Sequence, residues 1–321
     1  MIKYVFKRVL LMLIALFCIT TICFMLIRAL PMTPPEGINA AQKEVIKEIW
    51  DARGYNLPLI EQYKIYLTDI ITKFDFGTSW KIKSTEPAWD LLTKRLLPTV
   101  LVNLYSLLFS LPLGIAFGIY AAIKKNKWQD HVISTGVMVF VSVPSYVYAF
   151  LVQYFLFFKL NLFPPIISSL ADAGGSWFSS TMFHSMIPPI LALSFGQIAG
   201  LCRFTRAELT ETLTSDYMLL ARTKGLTRAQ ATTRHALKNA MVPILPSILG
   251  SFIGILGGSM IIEQIFAIPG VGQLYVLSVN LRDYDVFMMD SIFYTFLSLA
   301  AGIVVDISYG FIDPRIRMGE R

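Results

Sequence analysis

Residues 203–243 read RFTRAELTETLTSDYMLLARTKGLTRAQATTRHALKNAMVP. The stretch holds seven Lys/Arg, a single glycine at Gly225 and no proline before Pro243, and most of its residues are strong helix formers. Leu213, Tyr217, Leu220 and Ala221 recur at helical spacing, and Gly225 falls where a helix C′ residue is expected. Thr227 is placed to N-cap a second helix running through Ala231, His235 and Asn239. The pattern predicts helix, glycine turn, helix, with a basic exterior and an apolar face that must be covered. Packing against its own chain and docking into a partner both satisfy that need.

On either side lie apolar runs, 186–202 and 244–266, and four more follow outward at 9–30, 99–123, 132–158 and 286–309. At ~1.5 Å per residue, 18 or more residues cross a hydrocarbon core of ~30 Å. The chain has 321 residues, of which 55% are hydrophobic and 15% charged, and a mean hydropathy of +0.59. A globular domain carries about a quarter charged residues. Six transmembrane helices in an all-α fold are therefore expected. Pro112, Pro144 and the pair Pro188-Pro189 fall in or at these spans, where neighbouring helices can satisfy the backbone groups that prolines free.

The net charge of +7 points to topology, because the excess sits beside apolar runs. Lys3, Lys7 and Arg8, Lys124, Lys125 and Lys127, the seven in 203–243, and Arg315, Arg317 and Arg321 make sixteen on one side. The short loops 159–185 and 267–285 opposite hold only Lys159 and Arg282. Both termini and the Gly225 loop are expected in the cytoplasm, in a multi-pass protein of the cell membrane that binds lipid and no nucleic acid. Lys3, Lys7 and Arg8 ahead of an apolar run could also mark a secretory signal, but 22 apolar-run residues without a small-x-small site read as a retained first helix. Cys18, Cys23 and Cys202 lie in or at apolar runs and read as packing residues, with no disulfide framework.

The order predicts a cytoplasmic N-terminus and first helix over 1–30, an external segment over 31–98 and a five-helix core over 99–321 containing the loop 203–243. In the external segment Val45, Ile46, Ile49 and Trp50 have helical spacing, as do Ile60, Tyr63, Leu67 and Ile70, with Asn56 as N-cap and Pro58 in the first turn. A small helical cap is expected there. Gly114/Gly118, Gly196/Gly200 and Gly250/Gly254/Gly258 recur every four residues, a spacing that lets membrane helices approach closely.

Catalytic chemistry is not indicated. No GxxxxGK[ST] phosphate cradle occurs, and His131, His184 and His235 are too dispersed for a zinc motif, so neither a catalytic nor a metal site is expected. Asp290 and Asp306 share one helix, which is not the paired-acid arrangement of an aspartyl intramembrane protease, and the histidines lie outside helix centres, against a serine type. Scarce midplane charge likewise disfavours an ion-coupled carrier. Glu263 and Asp306 are the membrane carboxylates of interest, each either a structural anchor or part of a path. The turn around Pro269, Gly270 and Gly272 after Glu263 suits a re-entrant segment, with Ile265, Phe266 and Ile268 as a hydrophobic seal.

The motifs together carry a resemblance. Tyr217 to Leu226, then His235 to Pro243, is similar to the coupling loop of ABC-importer permeases, although Leu219-Leu220-Ala221 stands where the general motif has Glu-Ala-Ala. Asn56-Leu57-Pro58-Leu59 with Gln62-Tyr63, Asp75-Phe76-Gly77-Thr78-Ser79, Leu97-Pro98-Thr99, Glu263-Gln264-Ile265-Phe266 with Pro269-Gly270-Val271-Gly272, and Asp313-Pro314-Arg315 resemble the B-type permease subunit of dipeptide/oligopeptide (peptide/nickel) importers. The resemblance spans nearly the whole chain. It implies a type I ABC-importer permease (MetI-like) core, a homologous second permease, two ATPase subunits that bind ATP and magnesium, an extracellular solute-binding protein, and a peptide substrate, with nickel or a metal chelate as the nearest alternative. No cofactor would be bound by this chain. Tyr217, Ala221, Arg222, Lys224, Gly225, Leu226, Arg228 and Ala229 would form the ATPase-coupling loop, and Glu263, Phe266, Pro269, Gly270, Gly272 and Asp306 the gate or path.

Overall fold

The computed structural model describes residues 2–30 and 40–312; among these the regular structure is helical, with one isolated antiparallel bridge, Thr78 to Pro87, and loops such as 160–179 between helices. Gly37, Arg315, Arg317, Arg321 and the Asp313-Pro314-Arg315 motif lie outside the described residues. Helix α1 is Ile2–Arg28, α2 Ala40–Ala52, α3 Leu59–Lys73, α4 Ala88–Ile123, α5 Trp128–Ser142, α6 Ser145–Gln153 with a π-helical continuation Tyr154–Lys159, and α7 Ser180–Leu213. Then come α8 Asp216–Thr223, α9 Arg228–Ala231 with a π turn Thr232–Ala236, α10 Leu237–Gly254, α11 Met260–Ile265, α12 Val271–Leu281 and α13 Tyr284–Ile312.

Five helices are long and apolar enough to cross a membrane, and six crossings result if the bent pair α5–α6 counts as one. The run 132–158 is thus not one straight span. Its two halves meet at 100°, where Val143 is extended and Pro144 starts α6, as expected when a proline pushes the preceding residue out of the helical region. Pro98, Pro112, Pro188 and Pro189 instead lie within continuous helices.

The chain forms two compact units. One comprises Pro98–Ile268 with α13 from Ala301; the other comprises Ile2–Leu97 with Pro269–Ala300. In the first, α4 and α7 approach closely, since a Cβ on Gly118 would come within 2.8 Å of the Cys202 carbonyl oxygen and 2.6 Å of Thr205 Cβ. A buried core of Leu101, Val102, Met182, Met186, Ile190, Ile262 and Phe266 joins α4, α7 and α11. Arg206 on α7 grips Asp130 on α5 with two hydrogen bonds of 2.5 and 2.7 Å, a bidentate arrangement that fixes direction as well as distance.

The second unit contains the helical cap. Trp50, Tyr55 and Trp80 pack edge to face beside Ile46, and Phe24 of α1 packs on Tyr66 of α3. Asn56 does not cap α3, whose N-cap is Pro58; its amide instead receives Trp50 Nε1–H at 3.1 Å and donates to Asp51. Gln62 takes over the turn by donating to the Leu57 carbonyl at 2.9 Å. The motif Asp75-Phe76-Gly77-Thr78-Ser79 meets the α12–α13 turn. Gly77, at φ +108, sits where a Cβ would lie 2.7 Å from Asp285 Cβ, so only glycine fits. Thr78 N–H then donates to Asp285, which also receives Arg28 Nη2 at 2.9 Å and the Tyr55 hydroxyl. Burial, reinforced by the Asp285 charge, pushes the Tyr55 phenol above its ordinary pKa and keeps it a donor. Asp283 accepts from Ser79 Oγ at 2.6 Å and from the backbone N–H groups of Trp80, Lys81 and Ile82.

Candidate translocation path and coupling loop

In the first unit α4, α7 and α10 enclose a cavity of about 520 Å³. Asn103 and Ser110 face it from α4, Gln197 from α7, and Ser247 and Ser251 from α10, with Ser259 beyond; no lining residue is charged. Gly200, Gly254 and Gly258 line it as well, and a Cβ on Gly200 or Gly254 would meet nothing within 4 Å. Those glycines of the four-residue repeats leave open volume, while Gly114 and Gly118 serve helix contact. The polar wall follows from spacing: Thr99, Asn103, Ser106 and Ser110 lie 4, 3 and 4 residues apart, on one face of α4. The stripe is absent from the candidate residues above, although polar residues at that interval in an apolar run are its signal in the sequence.

Glu263 is buried, at 2% exposure. Its carboxylate accepts from Thr99 Oγ1 at 2.9 Å and occupies the space a Cβ of Gly258 would need, at 2.2 Å, while Gly258 itself has φ +64. The acid thus adjoins a residue of the cavity wall without lining the cavity. Phe266 is fully buried in the core, and its carbonyl receives Ile167 N–H at 2.9 Å. Ile268 N–H returns to the Glu263 carbonyl at 2.8 Å, with Ala267 between them at φ +51. In the other unit, Gly270 precedes α12 and Gly272 is buried in its first turn. Asp306, half-buried on α13, does not line the cavity.

The Gly225 turn and the Thr227 cap form as the sequence predicts, but Leu213 ends α7, parted from α8 by Thr214 and Ser215, and the second helix passes through the π turn Thr232–Ala236 into α10. Lys224 is the C-cap of α8 and Gly225 follows at φ +90. Leu226 N–H reaches the Ala221 carbonyl at 3.3 Å and Gly225 N–H the Arg222 carbonyl at 3.0 Å, the pair of bonds that defines a Schellman stop. Thr227 caps α9 in a reciprocal capping box with Gln230. Met218 and Ala221, with Leu213 and Leu226, pack on Leu209, Ala122, Ala231 and Ala236. The buried face therefore runs through Met218 and Ala221; Tyr217, Leu219 and Leu220 point outward, at 39%, 66% and 56% exposure. Arg222, Lys224, Arg228 and Ala229 are exposed beside them. The loop thus answers both readings of its apolar residues, with one set covered by the chain and another left open.

Two family models match the chain: the binding-protein-dependent transport system inner membrane component over residues 114–318 and the N-terminal part of such a membrane component over residues 1–102. The chain is 36% identical to the dipeptide transport system permease protein DppB of Lactococcus lactis over 320 residues, which is 99% of this chain and 100% of that one. It is 33% identical to DppB of Bacillus subtilis, covering 100% of both, and 32% identical to the oligopeptide transport system permease protein OppB of Haemophilus influenzae, covering 99% of this chain and 100% of that one. A helical membrane protein with a polar cavity among its spans, matched along its whole length in this way, belongs to the family of binding-protein-dependent transport system inner membrane components.

Proposed function

We propose that the chain is the permease subunit of an ATP-driven importer and forms half of its translocation path for peptides. The observation that carries this reading is the uncharged polar cavity between α4, α7 and α10, in a chain whose full-length relatives carry dipeptide and oligopeptide in their names. A transported solute must be held strongly enough to enter and weakly enough to leave. Serines and amides offer that, where a fixed buried charge would trap or repel.

A homologous second permease would complete the path, two ATPases would supply hydrolysis, and an extracellular solute-binding protein would deliver peptide. The coupling loop connects the ends of α7 and α10, two of the three helices that line the cavity. A push on α8 and α9 by a closing ATPase would therefore act on the cavity walls directly. Tyr217, Leu219 and Leu220 would be the apolar contact, and Arg222, Lys224 and Arg228 the basic one. Both termini and this loop would be cytoplasmic, with α2 and α3 outside. Glu263 and Phe266 would bound the outer end of the path, moving with α11.

The test is uptake by proteoliposomes containing the complete complex. ATP-dependent accumulation of trialanine that requires the binding protein is expected. Accumulation of Ni²⁺ instead, or of trialanine without ATP, would overturn the reading.

A further inference from the structure

The hydroxyls between α4 and α7 are oriented by competition for acceptors. Ser194 Oγ lies 2.7 Å from the Ile190 carbonyl and gives its proton there. Ser106 Oγ, 3.1 Å from Ser194 Oγ, is then the donor of that pair. Ser110 Oγ is 2.7 Å from Gln197 Oε1 but 3.2 Å from the Leu107 carbonyl, so its proton goes to Gln197. These three serines are at most 1% exposed, while Gln197, on which the relay ends, is exposed and lines the cavity. The relay fixes the Gln197 amide with its oxygen toward α4. Nε2, which makes no hydrogen bond among the described residues, is left to the cavity.

Asn103 is the counterpart. Its Nδ2 donates to the Thr99 carbonyl at 2.8 Å, so Oδ1 is the atom left over, with no hydrogen bond among the described residues. On α10 the hydroxyl protons turn back into the helix, Ser247 to Ile244 and Ser251 to Ser247, so these side chains present oxygen only. One wall therefore offers a fixed N–H, and the others fixed acceptors, with no charge between them.

Granted the peptide-importer reading, on which this rests, we propose that Gln197 and Asn103 form a subsite for the main-chain amide of the passing peptide: Gln197 Nε2 donates to a peptide carbonyl and Asn103 Oδ1 accepts a peptide N–H. An amide is the neutral group that supplies both an acceptor and a donor, and it recurs in every peptide whatever its side chains. The subsite would thus sense the presence of a peptide bond while ignoring sequence. Each neutral hydrogen bond contributes about a five-fold preference.

Uptake of trialanine is compared with uptake of its ester analogue, in which one amide N–H is replaced by oxygen and the carbonyl is a weaker acceptor. The complete complex is used with one binding protein throughout, so that protein's own preference cancels in the ratio of ratios. The wild-type amide-to-ester ratio is expected to exceed that of Asn103→Ala by about five-fold, because the ester lacks the N–H that Asn103 Oδ1 would accept. Gln197→Met loses a donor that both carbonyls accept, so it is expected to lower trialanine uptake about five-fold and to change the ratio less; it carries the measurement if Asn103→Ala does not assemble. A ratio within two-fold of wild type in Asn103→Ala, or trialanine uptake within two-fold of wild type in Gln197→Met, would overturn the subsite and leave the importer reading standing. Failure of the wild-type complex to take up trialanine at all would overturn both.

Discussion

Two residues outside the glycine-rich positions of the helices show what the backbone demands. Ala267 closes α11 with the same pair of bonds as Gly225, from Ile268 N–H to the Glu263 carbonyl and from Ala267 N–H to the Gln264 carbonyl, yet it does so at φ +51 with a Cβ. Left-handed backbone costs an L-residue about 1–2 kcal/mol. Ala267→Gly should therefore raise the thermal midpoint of the detergent-solubilised protein, followed by tryptophan fluorescence; a lowered midpoint would mean the alanine methyl contributes more than its backbone costs. Gly225 is the converse case. At φ +90 with open space around it, a valine meets no neighbour and is opposed by its own backbone, at about 1–3 kcal/mol. Gly225→Val should leave membrane insertion and pairing with the second permease intact, since the spans satisfy their own backbone groups. It should sharply reduce substrate-stimulated ATP hydrolysis by the assembled complex. Full stimulation in this variant would remove the loop from the coupling role.

At the scale of elements, Asp283 is the tightest joint described: a carboxylate before α13 accepting three backbone N–H groups and the Ser79 hydroxyl from loop 77–87. Hydrogen bonds to a charged group contribute about 1.5–3 kcal/mol each, and their removal leaves buried donors unpaired. Asp283→Ala should free that loop. Trypsin added to the outside of intact cells should then cleave at Lys81 or Lys83 much faster than in the wild type, and an unchanged cleavage rate would show that other contacts hold the loop. Elements were legible in the sequence where length or caps announced them: the long apolar helices, α8 with Gly225, and α9 with Thr227. The bend at Val143-Pro144 was not, because one proline barely changes the hydropathy of a run. Neither was α12, whose eleven residues are too few to count as a span. An asparagine ahead of Pro58 has the chemistry of a cap, and only the packed Trp50 indole shows where the Asn56 amide is used.

For the whole molecule, the family was readable from ordered motifs, while the cavity was not. Ser106 and Ser110 could each have given their proton to their own helix, as Ser194, Ser247 and Ser251 do. Only the crossing of α4 with α7 turns a 4-3-4 stripe into a wall. The membrane orientation expected from a different property, the Lys/Arg bias between alternate loops, can be tested without any transport assay. In a background lacking Cys18, Cys23 and Cys202, single cysteines would be placed at Ser84, Ser176 and Gly225. All three positions are exposed, so access to a reagent depends on the side of the membrane and not on packing. An impermeant thiol reagent applied to intact cells should label residues 84 and 176 at once, and residue 225 only after permeabilisation. The bent pair α5–α6 makes this test sharp. If its 100° bend turns the chain back without crossing, residue 176 falls on the same side as the loop after α4, and it will stay unlabelled while residue 84 reacts. Labelling of residue 225 from outside would invert the Gly225 loop and remove it from the reach of any cytoplasmic ATPase. Labelling at 84 and 176 with protection at 225 would mean that α5 and α6 together make one crossing and α7 the next, which places the coupling loop at the cytoplasmic end of two of the helices that enclose the cavity.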